Sequence, residues 1–91
     1  MIISLEEAKE VLRVDGNYMD MQIVALIESI PPYLETTTGK TWLDGPINPL
    51  VKTTAQFILM LWFEPYQDDK DKIKRTIDNL LIVLTAMARG N

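Results

Sequence analysis

The chain contains neither cysteine nor histidine. That excludes disulfides, thiolate or imidazole zinc sites, cysteine nucleophiles, Ser-His-Asp triads and an imidazole switch near neutral pH. Glycine is scarce and dispersed: Gly16, Gly39, Gly45 and Gly90 form no phosphate-cradling loop, and no Gly-Lys-Ser/Thr sequence occurs. Long apolar runs are missing too. The longest, Phe57 to Phe63, has seven residues, and the N-terminal Met1-Ile2-Ile3-Ser4-Leu5-Glu6-Glu7 turns acidic early, so neither a signal peptide nor a membrane span is expected. Basic residues are outnumbered, 9 Lys and Arg against 13 Asp and Glu for a net charge of -4, and tight nucleic-acid binding is not expected. The lack of cysteine is compatible with a reducing cytoplasm.

What remains is globular composition, 47% hydrophobic and 24% charged, over 91 residues. This suits one domain spanning 1–91 and is too little for two cores. No run of alternating β-branched residues reads as a strand, and four segments read as helices, so the expected fold is all-α, a small bundle of four helices. Ser4 with Glu7 is a capping box that opens a short first helix. Leu5, Ala8, Val11 and Leu12 give it an apolar stripe, and Asp15-Gly16-Asn17 is turn chemistry that ends it near Val14.

The second helix is expected from about Asn17–Met19 to Gly39, with Met19, Ile23, Leu26, Ile27, Ile30 and Leu34 on its core face. Pro31-Pro32 removes two amides from its ladder, which leaves a kinked continuous helix or a true break. The loop from Gly39 to Asn48 holds two apolar residues, Trp42 and Leu43. Trp42 either covers the edge of the core or anchors a partner, and Trp42 and Leu43 are both candidate interface residues. Asn48-Pro49 is a cap followed by Pro at the first helical position, and it opens the third helix. From Phe57 to Phe63 every direction around that helix is apolar, so it is the central one, with part of the stretch left for another copy to cover. Glu64-Pro65 ends it.

The fourth helix is expected from about Asp69 to Arg89, with Gly90 as its stop. Ile73, Ile77, Leu80, Leu81, Leu84, Met87 and Ala88 share its core side. Ile82, Val83 and Ala86 point the other way, beside Arg75 and Asn79, and read either as a contact surface or as ordinary exposed aliphatics. Asp68-Asp69-x-Asp71 is the one local carboxylate cluster. It lacks the glycine and the terminal glutamate of a calcium loop, Ile73 and Asn79 standing there instead, so it reads as acids opening a helix. Glu6, Glu7, Glu10, Glu28 and Glu35 read as solvated helix faces. No enzyme activity, metal or cofactor is expected.

The ordered set Ser4-Leu5-Glu6-Glu7-Ala8-Lys9, Leu12-Arg13-Val14-Asp15-Gly16, Asp20 with Ile23, Leu26 and Ile27, then Tyr33, Thr38-Gly39, Pro49, Ala55 and Trp62-Phe63 resembles the head-tail connector (adaptor) proteins of tailed bacteriophages and prophages. The likeness covers most of the chain. It implies a structural subunit of the virion neck, assembled in the bacterial host cytoplasm. Such a subunit forms a homo-oligomeric ring below the portal protein, offers a platform to a tail or neck-completion protein, and extends a channel through which DNA passes without tight binding. Surplus apolar surface on the third and fourth helices would serve ring contacts. Since the C-terminal region commonly meets the portal in this family, Ile82, Val83, Ala86 and Arg89 become candidate interface residues by position. Pro31-Pro32 stands where relatives usually continue a regular helix. The alternative, from a different class, is a small helical adaptor or regulatory module that binds one partner helix and forms no ring.

Overall fold

A computed structural model describes residues 1–90. It contains four helices, α1 (Leu5–Leu12), α2 (Asp20–Thr38), α3 (Pro49–Phe63) and α4 (Lys70–Arg89), and no strand among the described residues. The fold is an all-α four-helix bundle, as the patterning predicts.

The capping box at the start of α1 is complete: Glu7 N–H donates to Ser4 Oγ and Ser4 N–H donates to Glu7 Oε1, both at 3.1 Å. The helix stops two residues short of the expected Val14. Arg13 takes a left-handed conformation, φ 58, its N–H meeting the Glu10 carbonyl while Val14 N–H reaches the Lys9 carbonyl. These are the paired bonds of a Schellman ending, normally built on glycine. Before the cap, Ile2 and Ile3 are buried, a contribution to the core that helical periodicity does not reveal. Ile3 and Ala8 occupy the two positions of a hydrophobic staple, and both lie fully within the core cluster.

α2 runs without a break through Pro31 and Pro32, which decides between the two alternatives. Its buried residues Ile23, Ile27, Ile30 and Leu34 lie on both sides of the prolines and face one core, so packing holds the two halves in one continuous helix where the backbone ladder lapses. Gly39 ends the helix in the left-handed region at φ 97, as expected. Asn48 Oδ1 then accepts from Leu50 N–H at 2.8 Å and opens α3 with Pro49 in its first turn.

α2 and α3 each pack against all three other helices, so the centre expected of α3 is shared with α2. Val51, Thr54, Ala55, Ile58 and Leu59 are buried, and Phe57, Met60, Leu61, Trp62 and Phe63 are half-buried. Every residue from 57 to 63 is thus at least half covered within the chain, while Phe57, Met60, Leu61, Trp62 and Phe63 each keep part of their surface open. Trp62 meets Tyr33 of α2 edge-to-face, with centroids 5.3 Å apart and planes at 81°. Gln67 Nε2 donates to the Met60 and Glu64 carbonyls, satisfying acceptors at the end of α3.

α4 buries Ile73, Ile77 and Leu84, and half-buries Leu80, Leu81, Met87 and Ala88, in the expected phase. Gly90 follows the last helical residue, as expected, and is right-handed at φ -74. Its N–H still donates to the Ala86 carbonyl at 3.0 Å, so the helical pattern continues into it. No helix among the described residues is long and apolar enough to cross a membrane.

Candidate functional site

Two surfaces combine exposed apolar side chains with a concave shape. The first is the outward face of the C-terminal half of α4. Ile82 is 67% exposed and Val83 45%, with Ala86 and Arg89 also exposed. At about 100° per residue, Arg75, Asn79, Ile82 and Ala86 share a sector opposite the buried Ile73, Ile77 and Leu84. Arg75 and Asn79 are exposed too, so the structure brings together the fourth-helix residues that the sequence singles out. A shallow cavity of about 490 Å3 opens between this face and the end of α2, where Thr85 Oγ1 lies 3.3 Å from the Thr37 carbonyl. Over 79–89 the only charged side chain is Arg89.

The second surface is a groove of about 440 Å3 along α2, lined by Ile2, Ile27, Pro31, Pro32 and Leu43 with Met1 and Thr41, and flanked by Glu28 and Glu35. Its apolar floor has two sources. Ile2 arrives from the segment before α1, and Leu43, 44% exposed, comes from the 39–48 loop. The prolines expose ring surface, and neither has an N–H to offer the carbonyl four residues earlier, so the Ile27 and Glu28 carbonyls lack their helical donors. Of the groove residues, the sequence reading singles out only Leu43 as an interface candidate. The signal available was Pro31-Pro32 in an otherwise regular amphipathic helix, a local inconsistency of the kind found where a helix is kept for something besides stability.

Trp42 belongs to neither surface as a free anchor. Its indole N–H donates to Thr38 Oγ1 at 2.9 Å, and the buried Thr38 hydroxyl in turn donates to the Leu34 carbonyl at 2.7 Å. The Lys40 ammonium sits 4.9 Å from the ring centroid. Trp42 adopts a left-handed backbone, φ 66, and is half-buried against the core. This packing favours the edge-covering role over a partner anchor.

Electrostatics add one perturbed group. Lys52 Nζ donates to Glu7 Oε2 at 2.8 Å and ties α1 to α3. That bond, then the hydrogen bonds from Ser4, pull the Glu7 carboxyl down to about 2. Lys9 Nζ meets Asp20 Oδ1 at 2.9 Å, tying α1 to α2. Both pairs brace the bundle and approach neither apolar surface. Among the described residues no group of three or more Asp or Glu side chains is arranged to hold a metal ion. Such an arrangement can bury apolar surface against a macromolecule. Comparison with protein-family models, with curated proteins and with solved structures finds no match.

Proposed function

We propose that the chain is a structural subunit of the neck of a tailed bacteriophage or prophage, which forms a homo-oligomeric ring joining the portal to the tail or next neck protein and extending the DNA channel. The reading starts from the resemblance carried by the α1 opening, the Leu12–Gly16 turn, the Thr38-Gly39 helix end and the Trp62-Phe63 pair. The single observation that supports it best is the aliphatic face of α4, which the bundle leaves open. A net charge of -4 suits a channel wall past which DNA must slide. The groove beside Pro31 and Pro32 favours a second reading, a helical adaptor that seats one partner segment and forms no ring.

Ile82→Glu tests the interface. Ile82 lies outside the core, so the substitution should change folding stability by less than about 0.5 kcal/mol. Buried in a contact without a partner, the new carboxylate should cost several kcal/mol of association. Helicity and melting temperature report the fold; portal binding and the mass of assembled species report assembly. Normal folding with normal assembly refutes the interface, and a gene lying away from portal and tail genes would turn the reading toward the adaptor.

A further inference from the structure

The two apolar surfaces complement each other and cannot meet within one chain. On α2, the groove residues Ile27, Glu28, Pro31, Pro32 and Glu35 centre about 150° around the axis from Thr37, which faces α4. The core stripe lies between them, so the groove and the α4 side occupy opposite flanks of the helix. We propose that they are the two halves of one contact, in which the Ile82, Val83 and Ala86 face of one copy seats in the Pro31-Pro32 groove of the next. The inference rests on the ring reading and names the surfaces that would build the ring.

Charge selects this pairing over the others. The charged side chains lining the groove are Glu28 and Glu35, with the Met1 amino group beside them, so the groove is net negative, and the only charged side chain on the C-terminal half of α4 is Arg89. None of the three side chains forms an ion pair among the described residues. Face against face sets Arg89 against Arg89, and groove against groove sets two net-negative patches together; only face against groove joins surfaces of opposite net charge. The Ile27 and Glu28 carbonyls, deprived of helical donors by the prolines, add acceptors that a guanidinium can use. A contact between two different patches leaves a free groove on one copy and a free face on the other, so it propagates from copy to copy and closes into a ring when the rotation allows.

The absence of cysteine makes the test direct, because a single introduced thiol is the only one in the chain. Leu43→Cys and Ala86→Cys variants, each verified as folded by circular dichroism, are mixed in equal amounts at high concentration and mildly oxidised. The mixed disulfide should exceed its statistical share. Adding Arg89→Glu to the Ala86→Cys partner should lower its yield about tenfold, and Glu28→Arg with Glu35→Arg on the Leu43→Cys partner should restore it. A statistical mixture, an excess of either homodimer, or indifference to the charge exchange overturns the inference. Native mass measurement of the unmodified chain separates the two levels. A closed assembly of more than two copies without excess mixed disulfide keeps the ring and discards this pairing. A chain that stays monomeric without such an excess also discards the pairing, and the ring is then decided by assembly on the portal.

Discussion

Glu7 does three things with one side chain: it closes the capping box of α1, pairs with Lys52 of α3, and so fastens the shortest helix to one of the two central ones. Its partners stabilise the ionised form, and the folded-state value of about 2 lies below that of an unfolded chain. A depressed carboxyl contributes stability that is complete above its unfolded value, near pH 4.5, and is lost as pH falls toward the folded value. Thermal unfolding followed between pH 7 and pH 2 should therefore show a destabilisation below about pH 4.5 that Glu7→Gln makes shallower. Glutamine keeps an acceptor for the Ser4 amide and loses only the charge, so at pH 7 the variant should be weaker by about 1 kcal/mol or less. The ion pair is modest because Lys52 and Glu7 are 37% and 42% exposed at their side chains. Added salt should narrow the difference between the two proteins. A variant with an unchanged acid limb would remove Glu7 as the source.

At the scale of the element, α2 carries the main departure from local propensity. Proline inside a helix costs about 3 kcal/mol relative to alanine, yet two of them stand in a helix that continues past them. Pro32 is exposed, so Pro32→Ala restores an N–H for the Glu28 carbonyl without opening a core cavity. It should raise stability by about 1 to 3 kcal/mol, measured by denaturant unfolding. A destabilised variant would mean that the ring itself contributes packing. Most of this element was legible in the sequence: the Ile23, Ile27, Ile30 and Leu34 stripe and the Gly39 stop follow from periodicity and glycine geometry. Continuity across the prolines was not, because it is decided by tertiary packing on both sides of them. The same limit applies at the ends of α1. Arg13 in a left-handed conformation replaces the glycine that a Schellman ending announces, and Ile2 and Ile3 lie outside any helix, where periodicity has nothing to count. The outward α4 face was legible because a single helical phase separates Ile82 and Ala86 from Leu84. The groove was not, because it joins three segments distant in sequence.

For the whole molecule, α1 occupies a distinct position. It packs on α2 and α3 but does not reach α4, whereas α3 touches every other helix. It has eight residues, too few to persist as a helix alone, and two of its ties are the Glu7 and Lys9 ion pairs near the surface. The bundle is therefore built to open unevenly. Native-state amide hydrogen exchange should show the α1 amides, Ala8 among them, exchanging through a local opening about 2 kcal/mol or more below the global unfolding free energy, while Ile58 and Leu59 of α3 exchange only on global unfolding. Equal protection across both helices would mean that the bundle opens as one unit. Uneven opening has a consequence for crowding during synthesis and storage: Ile2 and Ile3 would be the first core residues to see solvent, and the bundle's earliest aggregation-competent state would be one whose other three helices are still folded.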